Sequence, residues 1–248
     1  MRAALLALLL VFGGPLQAAE PEPLLVMTDL WPPFRMLDDN GELQGLDIDL
    51  LEQLSQRTGL RFEVLRAPWA RGLAALEQGK ADLMTGLAKT AEREAYVRYL
   101  PRPYYACAPR FYTAPEQAPA LLRYDQLAQL NVGQVLGSAY FEPFDSDQNL
   151  RKTAVNNEAQ LLGMLARGRL GAVIGTDCQV DYELRDPRWA ARIAKAAYRP
   201  AARTELYIGF SRRRPLQAEY RRVSEALEQL RAEGWIAEAA RRYRVQVP

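Results

Sequence analysis

Apolar positions recur along this chain with two different periods. Residues 24–27, LLVM, form a short apolar run that predicts a buried strand. Residues 28–34, TDLWPPF, follow as a rigid loop, because paired prolines block helix. Asp39, Asn40 and Gly41 make a turn. Residues 45–58 switch to helical spacing, with Ile48, Leu51 and Leu54 on one face and Gly59 as the stop. Residues 60–65 alternate as a strand, 69–78 form a helix closed by Gly79, and 81–87 form a short buried strand. Thr90 is the expected N-cap of a helical turn over 90–93.

A second unit begins near Ala108. It contains a helix or turn over 121–127, a strand over 131–135 and a helix that starts at 137–140. An amphipathic helix follows over 158–166, with Leu161, Leu162 and Leu165 on one side, and then a buried strand over 171–175. Residues 204–211 read as a further strand and 217–231 as a long helix, broken at Gly234–Trp235 before a last helix that ends at Arg242. Alternating strands and helices predict parallel α/β sheets flanked by helices, in two lobes joined by short ordered crossings. Ligands of such sheets bind beyond the carboxyl ends of the strands. In the first unit those ends carry residues 28–31, Trp69 and the segment around Gly86.

The first residues set the compartment. A positive start at Arg2, an apolar run over 3–12, a Gly-Gly-Pro break and small residues before position 19 predict a secretory signal peptide over 1–18. Export of a chain with two cysteines, Cys107 and Cys178, predicts a disulfide between them, here expected within the second lobe. The charged residues change the picture little. Thirty-two Lys and Arg are scattered among 30 acids for a net charge of +2, which argues against a nucleic-acid surface. The chain has no histidine, so the commonest general base and metal ligand are missing, and no metal or cofactor is expected.

Several ordered segments carry a resemblance. They are TDLWPPF, the G-x-L-x-G-L-D-I-D-L over 41–50, L-E-Q-G-K-A-D-L over 76–83 and T-A-E-R over 90–93. V-G-x-x-x-G-S over 132–138, G-R-L-G-A-V-I over 168–174 and the C-terminal A-E-G-W-I-A-E-A-A-R-R-Y complete the set. Together they resemble the bacterial extracellular solute-binding proteins that include the polar amino-acid binders of ABC importers. The resemblance implies a periplasmic-binding-protein-like fold of two lobes. Lobe 1 would hold residues 19–107 plus 204–248, lobe 2 would hold 108–203, and a two-crossing hinge would let them close on a ligand. It also implies a monomer in the periplasm that delivers a small polar, carboxylate-bearing ligand to membrane subunits of a transporter.

The same resemblance assigns residues. Arg93 would clamp the ligand carboxylate, which suits a guanidinium that never loses its charge. Trp31 and Trp69 would flank the ligand with flat apolar faces, and Asp29 would meet a ligand cation. Thr85, Gly86 and Ala88 would line the binding segment, although Ala88 stands where that family commonly has a hydroxyl. Ser138, Ala139 and Tyr140, at an expected helix start, would present backbone N–H groups to an anion. Asp177 would balance the ligand ammonium, although strict spacing from Gly171 puts Thr176 at that position. The implied activity is binding without chemistry. A sensory protein presented to a membrane receptor is the alternative. A dehydratase on the same fold, with Glu142 or Asp177 as its acid, is a more distant one.

Overall fold

The computed structural model describes residues 22–245; the expected signal peptide lies outside the described residues. The chain runs β1 (Leu24–Thr28), β2 (Met36–Leu37), β3 (Leu43–Gln44), α1 (Leu46–Thr58), β4 (Phe62–Arg66), α2 (Trp69–Glu77), β5 (Leu83–Leu87), α3 (Ala91–Glu94), β6 (Val97–Tyr99) and β7 (Tyr105–Cys107). It continues through β8 (Pro109–Thr113), a 3-10 helix (Tyr124–Gln129), β9 (Asn131–Val135), β10 (Arg151–Val155), α4 (Glu158–Leu165), β11 (Ala172–Thr176), α5 (Asp177–Glu183), α6 (Pro187–Ala190) and β12 (Ala194–Lys195). It closes with β13 (Thr204–Ser211), α7 (Gln217–Ala232) and α8 (Trp235–Arg242).

These elements build two main sheets. The first has the order β4-β1-β5-β13-β6, with β7 also paired to β13. β1 is parallel to β4 and β5, while β13 runs antiparallel to β5, β6 and β7. The second has the order β10-β9-β11-β8-β12, with β9 parallel to β10 and β11 and β8 antiparallel to β11. The chain leaves the first sheet at β7 and enters the second at β8, one residue later, through Ala108. It returns between β12 and β13 over residues 196–203. The fold is therefore a two-lobe α/β architecture.

Local chemistry explains the element ends. Gly59 takes a left-handed φ of 67° and closes α1 by donating its N–H to the carbonyl of Ser55. Thr90 caps α3 by accepting the N–H of Arg93, and Asn157 caps α4 by accepting that of Gln160. Under α1, α7 and α8, Val26, Leu50, Leu54, Leu83, Phe210, Leu227 and Leu230 form the first-lobe core. Phe111, Phe144 and Ile174 anchor a core in the second. A third apolar cluster continues across both lobes, joining Trp69, Leu73 and Leu76 to Val135, Leu161 and Val173. The lobes are thus closed on each other.

Two expectations need correction. No helix starts at 137–140: the segment is a turn followed by irregular chain. Pro143 would sit inside such a helix without an N–H to give, and the carboxylate of Asp145 instead accepts the N–H of Tyr140 at 2.9 Å. The disulfide Cys107–Cys178 does form, with a Cα–Cα distance of 5.7 Å. It is not internal to the second lobe, because Cys107 belongs to β7 on the first sheet and Cys178 to α5 of the second. Both cysteines pack into the first-lobe core.

Candidate functional site

Strand ends from both lobes meet at one cleft. Asp29, Leu30, Trp31, Arg35, Trp69, Gly86, Ala88 and Arg93 line it from the first lobe, with Thr204 and Leu206 of β13. Val135, Ser138, Ala139, Tyr140, Asn157, Glu158 and Thr176 line it from the second. The space left open is small, ≈ 70 Å³ for the centre of a water-sized sphere.

Nine of the eleven positions expected from the sequence border this cleft. Two do not. Thr85 lies under it, buried, with its hydroxyl donating to Asp47 at 2.7 Å. Asp177 borders a different depression beside the disulfide, where its carboxylate accepts the N–H of Ala108 at 2.8 Å. Thr176, the strict-spacing position, is the one that borders the cleft.

Asp29 directly follows β1 and turns both carboxylate oxygens onto backbone: Leu30 N–H at 2.8 Å and Trp69 N–H at 3.1 Å. It thereby caps the start of α2 and fixes Trp69 at the cleft wall. Burial holds its pKa above the usual carboxylate value, against the opposing pull of those two N–H bonds. Trp31 stacks on Phe34, with ring centroids 4.5 Å apart.

Between the two indoles sits a residue that the sequence did not single out. The Arg35 guanidinium lies 5.3 Å from the Trp31 ring and 5.8 Å from the Trp69 ring. It is 3% exposed. Its Nη1 donates to Asp47, itself fully buried, and its Nε donates to the Asp29 carbonyl at 3.1 Å. Asp47 accepts two further bonds, from Thr85 and from the Tyr104 hydroxyl, both at 2.7 Å. Gly86, at φ +73°, passes so close that a Cβ there would lie 2.6 Å from Arg35 Nη1.

Arg93 is 5% exposed. Its Nη1 donates to the Ala88 carbonyl at 2.7 Å and its Nη2 to the Gly137 carbonyl, across the cleft, at 2.5 Å. It forms no ion pair among the described residues, so its charge is hydrogen-bonded but not neutralised by contact. In the loop opposite, the Ser138 N–H bonds to Val135 and the Tyr140 N–H to Asp145. The expected anion-binding row of amides is therefore already engaged at two of its three positions.

Three polar atoms on the cleft lining are buried without a hydrogen-bond partner: Trp69 Nε1, Glu158 Oε2 and Thr176 Oγ1. A buried polar group without a partner costs on the order of 1–3 kcal/mol, so such groups are rare unless something else satisfies them. Glu158 opens α4 directly after the Asn157 cap and is 8% exposed. Burial pushes its pKa up to about 8, with smaller contributions from the negative charges of Glu183 and Asp29. Neither Arg35 nor Glu158 stands out in the sequence: one lies in a loop, and the other reads as the first residue of an ordinary amphipathic helix.

Comparison with known proteins agrees with this architecture. A Neisseria gonorrhoeae protein named "Probable histidine-binding protein" is 25% identical over 208 residues, 82% of this chain and 75% of that protein. A histidine kinase sensor domain with similarity to periplasmic binding proteins superposes with a TM-score of 0.80 at 19% identity, covering 91% of this chain and 98% of that one. The amino acid ABC transporter substrate-binding protein AbpA from Streptococcus pneumoniae, solved bound to L-arginine, gives a TM-score of 0.78 at 20% identity, covering 89% and 93%. The family profile matches residues 24–246, and the chain belongs to the bacterial extracellular solute-binding proteins, family 3.

Proposed function

We propose that this protein captures a small, carboxylate-bearing, amino-acid-like ligand between its lobes in the periplasm and delivers it to an ABC-type importer. The observation that carries this reading is that three residues lining one closed cleft from both lobes, Trp69, Glu158 and Thr176, each keep a buried polar atom without a partner. Arg93 supplies the cationic end of the site. Glu158, not Asp177, is the acid set to meet the ligand ammonium, releasing on binding the proton that burial keeps on it. A relative named for histidine binding and a neighbour bound to L-arginine support an amino-acid-like ligand.

The test is a thermal-shift screen of amino acids and small mono- and dicarboxylates, followed by calorimetry. A ligand at a hundred times its Kd stabilises the folded protein by about 2.7 kcal/mol. No shift with any carboxylate would remove the reading.

The likeness to a kinase sensor domain favours a second reading, in which the closed form is presented to a membrane receptor. Uptake of labelled ligand separates the two. Import that depends on this protein supports delivery; a transcriptional response without import supports sensing.

A further inference from the structure

We infer that Arg35 is a resident occupant of the aromatic seat in the cleft, and that it excludes ligands with a cationic side chain. The inference deepens the function proposed above and rests on it for the identity of the cleft.

Two indole faces directed at one space make a favourable seat for a cation. Here that seat is filled from within, by a guanidinium 5.3 and 5.8 Å from the Trp31 and Trp69 centroids. Arg35 is held there by its ion pair with Asp47 and by its bond to the Asp29 carbonyl. Asp47 is held in turn by Tyr104 and Thr85. A ligand cannot displace the guanidinium without leaving Asp47 buried and unpaired, which is costly.

The consequence is both steric and electrostatic. With the guanidinium filling the seat between the indoles, the little space left in the cleft favours a ligand with a short side chain. A second cation beside Arg35 finds the two aromatic faces already taken and the carboxylate beside it, Asp47, already paired. Arg93 stands on the same cleft and adds a like charge. Short neutral or acidic side chains fit this environment, and lysine- or arginine-like ones do not. Gly86 belongs to the same device, since any side chain there would collide with Arg35 Nη1.

The experiment compares wild type, R35A and R35A/D47N by thermal shift and calorimetry with methylguanidinium, L-2,4-diaminobutyrate and L-homoserine. R35A leaves a guanidinium-shaped space facing Asp47, so methylguanidinium should raise its melting temperature while leaving wild type and the double variant unmoved. Wild type should bind neutral L-homoserine at least about tenfold more tightly than the cationic, near-isosteric L-2,4-diaminobutyrate. R35A should narrow or invert that ratio. A wild type that responds to methylguanidinium as strongly as R35A does would overturn the inference. So would equal affinity of wild type for the two amino acids. Should R35A fail to fold alone, recovery on refolding with methylguanidinium supports the seat. Failure to recover, together with a double variant that keeps the wild-type ratio, overturns it. If wild type binds no carboxylate at all, the proposed function falls, and the methylguanidinium comparison still decides the role of Arg35.

Discussion

Arg93, from the first lobe, donates Nη2–H to the carbonyl oxygen of Gly137 in the second at 2.5 Å. One side chain thus both faces the cleft and ties it shut. A carbonyl satisfies a proton of the guanidinium but does not neutralise its charge. On the function proposed above, a ligand carboxylate adds the opposite charge that the Ala88 and Gly137 carbonyls do not supply.

Arg93→Ala should then weaken binding of a carboxylate ligand by roughly 10- to 100-fold, the range for losing a hydrogen bond to a charged group. Arg93→Lys should recover part of that, since it keeps the charge and loses the fork. Calorimetric titration of the three proteins with one ligand checks the order. Equal affinities would remove Arg93 from the site.

Glu158 makes the unliganded protein sensitive to pH in a definite direction. Its pKa is raised in the folded state, to about 8, so between the unfolded value and 8 the folded protein holds a proton that the unfolded chain releases. This stability is fully present below about pH 4.5 and is lost as pH rises through 8. Asp29 and Glu183, also raised chiefly by burial, act with the same sign. Replacing Glu158 with Gln should flatten the fall in melting temperature between pH 5 and 8. An unchanged slope would assign the effect to the other two acids.

Asp177 provides the contrast. Its carboxylate and its own N–H pair with the N–H and carbonyl of Ala108, at 2.8 and 2.9 Å, at the point where the chain crosses between lobes. Asp177→Asn keeps an acceptor there, so ligand affinity should change less than about threefold. Glu158→Gln should cost an amine-bearing ligand far more. The reverse ranking in a binding assay would return the ammonium to Asp177.

The disulfide closes a loop of 71 residues in sequence separation. Chain entropy alone then gives it a value of about 4 kcal/mol. The paired change Cys107→Ser with Cys178→Ser should lower the urea midpoint accordingly. A midpoint that does not move would mean that packing of the two side chains, not the crosslink, holds that contact.

The first lobe was legible because its elements announce their ends. The strand at 204–211 appears with the bounds expected, and α1 stops at Gly59 as its spacing requires. β10 was missed because it is an edge strand with the sequence RKTAV, of which only Val155 is buried, so no apolar rhythm marks it. Losing β10 also hid Glu158, since the rule about strand ends points at the residues just beyond it. Arg35 was invisible for a different reason. A charged residue in a loop reads as solvated, and only the fold brings Asp47, Thr85 and Tyr104 together to bury it. The start of a helix at 137–140 was a local expectation overridden by Pro143 and by the Asp145 carboxylate.

The covalent link between β7 and α5 has a mechanical side. A bond that joins the lobes beside one of their two crossings acts as a fulcrum, because points next to it cannot separate however far the rest rotates. Gly137 rides on α2, where a Cβ would lie 3.2 Å from Leu73 and 3.6 Å from Ala70. The crosslink fixes the two lobes to each other at one edge of their contact, on the side of the crossing at Ala108.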